Sequence, residues 1–225
     1  MGNQMKIKNN ITLALTAIGL AMAAAPSMSY EEGDLIVRAR IITVDPQGDS
    51  EKVRVNGAAT DSGVAVNSDT VPEVDFTYMI DKNWGTELIL AYSKHTVSTT
   101  AGALSGLGDV ADVKVLPPTL TLQYHFSPDS NIRPYLGAGI NYTMFFDEKL
   151  TGGIKGLANK ISLDDSWGLA AQAGLDVDIN DTWFVNLDVK YIDMKTEANI
   201  SGDNSIKVDT DIDPLVWGIG VGRVF

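Results

Sequence analysis

Pro214-Leu215-Val216-Trp217-Gly218-Ile219-Gly220-Val221-Gly222-Arg223-Val224-Phe225 is the stretch whose reading decides the fold. Large apolar side chains (Leu215, Trp217, Ile219, Val221, Phe225) fall on one parity, and Val216, Gly218, Gly220 and Gly222 fall on the other. A period of two makes this a β-strand with two different environments. The bulky face needs an apolar surface, and the glycines leave room for whatever crowds the opposite face.

Upstream, the same period recurs over roughly 33–44, 70–80, 84–96, 113–126, 132–147, 165–179 and 182–196, so with 212–225 eight strands are expected. Asp81-Lys82-Asn83, Ser127 to Asn131 and Asn180-Asp181 read as tight turns, alternating with long polar or Gly-rich loops at 45–69, 97–112, 148–164 and 197–211. One parity collects residues such as Val37, Ile41, Phe76, Leu88, Leu122, Leu136, Leu169 and Leu187. The other collects Arg38, Arg40, Glu73, Asp75, Glu87, Gln123, Asn141, Gln172, Asp176, Asn186, Asp188 and Lys190. A soluble barrel or sandwich would bury the apolar parity, and the polar parity would then face solvent. Short turns at one end and long loops at the other point instead to an antiparallel transmembrane β-barrel with its apolar face in lipid, periplasmic turns and extracellular loops. Trp84, Trp183, Tyr92, Tyr142, Trp167 and Tyr191 near strand ends suit aromatic girdles at the two interfaces.

The N-terminus agrees with this address. Lys6 and Lys8 precede an apolar run from Ile11 to Ala25, and Ser27-Met28-Ser29 offers a small-x-small cleavage site. Residues 1–29 therefore read as a secretory signal peptide and 30–225 as a single barrel domain. The full chain carries a formal charge of −12. Such acidity argues against nucleic acid as a partner. Zero cysteines exclude a disulfide framework and thiolate metal sites.

The local motifs carry a specific resemblance. Leu116-Pro117-Pro118-Thr119-Leu120, the run from Arg133-Pro134-Tyr135 to Asn141-Tyr142-Thr143, Asp165-Ser166-Trp167-Gly168 and the strand Trp183 to Asp193 look like the OmpW family of small outer-membrane barrels. The likeness covers essentially the whole of the expected mature chain. It implies a bacterial outer-membrane location and a narrow, largely hydrophobic channel for small hydrophobic compounds, without enzymatic activity or a cofactor. The terminal aromatic, Phe225, resembles the signal by which the barrel insertion machinery recognises such proteins. Gly222-Arg223-Val224-Phe225 departs slightly from the aromatic-Arg-Phe ending common in the family.

Placing the inward residues by height along each strand separates two layers. Ile42, Val44, Val115, Phe145, Ile192, Met194 and Val216 gather in the outer half as a hydrophobic funnel. Arg38, Arg40, Glu73, Asp75, Glu87, Asp176 and Asp188 gather below as a polar floor. Arg38 with Asp75 and Arg40 with Glu73 fit one antiparallel register and are expected to pair. An eight-stranded barrel is only just wide enough for its own side chains, so bulk polar transport is excluded. Pro117-Pro118 lacks two ladder donors and is read as a bulge, or as a lateral seam through which an apolar solute reaches the outer leaflet. The two histidines, His95 and His125, fall at opposite ends of neighbouring strands and cannot share a proton relay or a metal. Ser93 and His95 imitate a hydrolase pair without a spacing that favours one. Loop acids such as Asp109, Asp112, Asp147, Glu148, Asp164 and Asp165 lack Ca²⁺-loop spacing and read as a solvated rim. The competing function is a surface receptor or adhesin working through its loops, for which the 45–69 segment, with Val53, Val55, Val64 and Val66, would form an extended hairpin.

Overall fold

The computed structural model describes residues 28–225 except Asp49, Glu51, Leu157 and Asp203. All but the last two residues of the expected signal peptide therefore lie outside the described residues. Eight strands form the wall: β1 (Leu35–Asp45), β2 (Asp69–Met79), β3 (Trp84–Ala91), β4 (Thr119–His125), β5 (Ile132–Leu150), β6 (Ser166–Asp178), β7 (Trp183–Ile192) and β8 (Leu215–Val224). Each pairs antiparallel with the next, and β8 returns to β1 from Ile36↔Val224 to Asp45↔Leu215, so the barrel is closed. Closure removes both sheet edges, as a wall immersed in hydrocarbon requires.

The two parities separate as the alternation demands. Leu169, Trp217 and Leu187 keep 69%, 54% and 47% of their surface exposed, while Arg38, Glu87, Asp176 and Asn186 are wholly buried. Aromatic contacts cluster near the strand ends: Trp84–Tyr124 at 5.0 Å and Tyr124–Phe126 at 4.9 Å near the short turns, Tyr142–Trp167 at 4.6 Å near the long loops. The short turns close on their own side chains. Asp81 Oδ1 accepts from the amides of Asn83 (2.7 Å) and Trp84 (2.8 Å), and Asn180 Oδ1 accepts from Thr182 (2.9 Å) and Trp183 (3.0 Å).

The long connections differ from the expectation of polar loops, because most of their length is strand. Ser93–Thr100, Asp109–Leu116 and Gly63–Val66 prolong one side of the wall together with the upper half of β5. Ala158–Leu163, Lys195–Gly202, Ser205–Asp211, Arg54–Val55 and Ala58–Ala59 form a second sheet. The 45–69 segment is thus not a single hairpin. Its Arg54–Ala59 arm joins the second sheet and its Gly63–Val66 arm the first. The reason is a second apolar core, with Val53, Val110, Ile154, Ile200, Ile206 and Val208 buried above the barrel. Burying those side chains rewards pairing that the local polarity of the loops does not advertise.

The inward glycines of β8 are spaces for particular side chains. A Cβ on Gly222 would run into the Phe184 ring, and one on Gly218 would meet Ile42 Cγ2 at 2.6 Å. Gly222→Leu should therefore lower stability by about 1–3 kcal/mol through overpacking, read as a lower urea midpoint in lipid vesicles. Ile219→Leu on the lipid face should leave that midpoint nearly unchanged, and equal midpoints for the two variants would contradict this packing.

Candidate functional site

The interior is built in three layers. At the short-turn end, Tyr30 is wholly buried with Met28, Ile36, Met79 and Phe184 around it. Its phenol donates to Asp176 Oδ2 at 2.8 Å, and its ring lies 4.4 Å from the Arg133 guanidinium. Arg133 in turn clasps Asp178 through both Nη atoms. Apolar packing and a bidentate ion pair occupy the foot of the barrel.

Above the foot lies the floor, and the register of β1 against β2 creates it. Arg38 stands directly opposite Asp75, and Arg40 opposite Glu73, as the alternation implied. Arg38 Nη1 is 3.2 Å from Asp75, and its Nη2 reaches across to Asp176 at 2.7 Å. Arg40 Nη1 contacts Glu73 at 2.8 Å and Asp75 at 2.7 Å. Glu87 Oε1 sits 3.5 Å from both guanidinium groups. Its Oε2 receives the side-chain amides of Gln123 (2.7 Å) and Gln172 (2.6 Å). Lys190 bridges Glu73 and Asp188 at 2.8 Å each, so Asp188 enters the network through β7. Charges this deep are tolerated because each is paired and hydrogen-bonded; an isolated one would be very costly.

The third layer is a cavity in the upper half of the barrel. Ile42, Val44, Val115, Phe145, Ile192, Met194 and Val216 all line it. Glu73, Lys190 and Thr119 form its lower boundary, and Ser93 and His95 contribute to its wall. Its free volume is about 80 Å³, roughly half the ~150 Å³ at which an apolar protein cavity accepts benzene. A solute of that size fits only if the lining side chains or the wall give way.

The ladder of the wall is interrupted beside Pro117-Pro118. The β3–β4 ladder ends at Ile89↔Thr119 and the prolonged strands resume at Ser93↔Val115, leaving Leu90–Tyr92 unpaired against Leu116–Pro118. The inward residues there, Ala91 and Pro117, both line the cavity. On the β5 side the ladder also stops, between Asn141↔Thr119 and Met144↔Leu116, but the proline carbonyls there stay bonded. Tyr142 N–H donates to the Pro118 carbonyl at 3.1 Å, and Asn141 Nδ2 donates to those of Pro117 (3.2 Å) and Pro118 (3.4 Å). The ladder is thus lost on both sides, and toward β5 an asparagine amide and the Tyr142 amide bridge the gap.

His125 lies buried near the foot, 3.0 Å from Gln123 Oε1, whereas His95 is in the upper wall. The sequence reading missed Tyr30, Arg133, Asp178 and Lys190 as members of the closed layers. Parity had turned Lys190 inward, but its partners are set by contacts across the barrel. Arg38→Met would leave Asp75, Glu87 and Asp176 without their shared cation. It should cost about 3–5 kcal/mol in vesicle unfolding, against less than about 1 kcal/mol for the surface pair variant Lys195→Met; similar small losses for both would show the floor to be dispensable.

Comparison with known proteins bears on the whole barrel. The OmpW family profile matches residues 31–225. The chain is 41% identical over 218 residues to outer membrane protein W of Vibrio cholerae, covering 95% of this chain and 99% of that one. It is similar to the crystal structure of OprG from Pseudomonas aeruginosa, with a TM-score of 0.82 and 39% identity over 90% of this chain and 99% of that chain. It also matches the dibenzothiophene metabolism operon protein PahQ of Pseudomonas aeruginosa at 33% identity over 178 residues, covering 78% of this chain and 82% of the relative. With its closed eight-stranded wall and lipid-facing apolar surface, this chain belongs to the OmpW family of outer-membrane β-barrel proteins.

Proposed function

We propose that the barrel is a narrow hydrophobic passage for small hydrophobic molecules, which enter the upper cavity and leave sideways into the outer leaflet. The observation that carries this reading is the position of an apolar cavity directly above two sealed layers. A solute descending from Ile42 and Val216 meets the Arg38–Arg40 network and then the Tyr30–Phe184 plug. Taking an apolar molecule through that charged layer would mean breaking buried ion pairs with nothing to replace them. The stretch without ladder pairing between Ala91 and Pro117 lies in the wall of the same cavity, and this reading makes it the way out to lipid. Replacing a few apolar side-chain contacts with acyl chains there costs little, because both surroundings are hydrocarbon. The relative named for a dibenzothiophene metabolism operon belongs to a pathway whose substrate is an apolar aromatic, which suits such a cavity.

In this reading the protein carries out no catalysis and needs no cofactor. Outer-membrane lipid is its solvent and Phe225 its address for the insertion machinery. Apolar solutes are its cargo.

Pro117→Val with Pro118→Thr restores two ladder donors and should slow protein-dependent uptake of a labelled apolar aromatic by whole cells several-fold; unchanged uptake would remove the lateral route. Deleting the Asn56-Gly57 turn tests the competing receptor reading. Uptake should persist in that variant, and loss of uptake with the barrel still folded would favour a loop-borne function.

A further inference from the structure

We infer that the cavity prefers uncharged apolar molecules carrying one hydrogen-bond donor, such as phenols and hydrophobic alcohols, and that Ser93 receives that donor. The inference rests on the passage proposed above and narrows its cargo.

Ser93 and His95 are inward neighbours on one strand, both nearly fully buried and both in the cavity wall. His95 Nδ1 lies 2.7 Å from the Asn67 carbonyl oxygen. A carbonyl only accepts, so Nδ1 carries the hydrogen, and in the neutral imidazole Nε2 is a bare acceptor. Ser93 Oγ, 3.0 Å from Nε2, must then give its single proton to the ring. What remains of the hydroxyl toward the cavity is lone pairs. The Asn67 carbonyl thus sets, through the imidazole, the polarity that Ser93 shows to a ligand.

The floor-side groups are tied into the ion-pair network, with Glu73 Oε1 shared by Arg40 and Lys190. Lys190 is held between Glu73 and Asp188. Thr119 donates to the Pro117 carbonyl at 3.0 Å and accepts from Asn141 Nδ2 at 2.9 Å. The floor also disfavours anions. Arg38, Arg40 and Lys190 supply three formal positive charges against five carboxylates (Glu73, Asp75, Glu87, Asp176, Asp188), a formal balance of −2. A hydrophobic carboxylate would meet that excess in a low-dielectric interior, whereas a phenol would not.

The test compares p-cresol with p-xylene, which share a shape and differ by a hydroxyl in place of a methyl. Each is titrated into methyl-labelled protein in lipid nanodiscs, following the methyl signals of Ile42, Ile192 and Val216. The wild-type protein should bind p-cresol more tightly. The double variant Ser93→Ala with His95→Phe removes both partners of the Ser93–His95 hydrogen bond and frees only the carbonyl of Asn67, an exposed residue that water can satisfy. It should lose about three- to tenfold in p-cresol affinity, with p-xylene changed less than twofold. Ser93→Thr keeps a hydroxyl and should retain the wild-type preference. If both solutes bind the wild-type protein and the double variant leaves their ratio unchanged, Ser93 has no such role and the passage reading stands. If neither solute shifts the methyl signals, the cavity takes no such cargo and both readings fall.

Discussion

A closed wall of eight strands encloses an interior with room for its own side chains and little else. Everything that points inward must therefore be apolar and packed, or polar and paired. The Arg38–Arg40 network is where that constraint is most demanding. Two guanidinium groups, two residues apart on one strand, engage carboxylates from three other strands. Below them, the Tyr30–Phe184 cluster and the Arg133–Asp178 pair occupy the lower half. The upper half is left to whatever apolar side chains its strands supply. The cavity is a consequence of the floor.

That division makes the wall the variable element. Above the floor the strands run on past the membrane and sort into two sheets, held by a second apolar core rather than by lipid. Between barrel and extension lies the Pro117-Pro118 break, unpaired toward β3 and bridged toward β5 by Asn141. Next to it the β2–β3 ladder stops at Glu73↔Ala91, so the pairing around Leu90–Tyr92 is interrupted on both of its sides. Compliance along that stretch matters because the cavity as it stands is smaller than an apolar protein cavity of ~150 Å³ that holds benzene.

The Ser93–His95 pair illustrates how little separates a structural contact from a functional one. The same two side chains imitate a nucleophile and its base, yet a backbone carbonyl orients the ring and the surroundings are hydrocarbon. In that setting the pair's effect is to fix the direction of a hydrogen bond, which is a matter of selectivity.

The sequence by itself determined the wall. Alternation from Leu215 to Phe225 and in seven earlier strands separated a lipid face from a lumen, and the spacing of Arg38, Arg40, Glu73 and Asp75 specified a register that the barrel adopts. These features were legible because a strand's period is local and neighbouring strands pair in order. Other features depended on the closed barrel. Tyr30, ahead of β1, meets Asp176 on β6, and Lys190 on β7 meets Glu73 on β2, across 146 and 117 residues of chain. The loops 97–112 and 197–211 became sheet because a shared apolar core formed only when they were brought together. Which side of the proline break stayed bonded turned on Asn141, a side chain whose reach no periodicity encodes. Only the tertiary structure decided these, because contacts across the barrel and between loops arise from closure, and closure is a property of all eight strands at once.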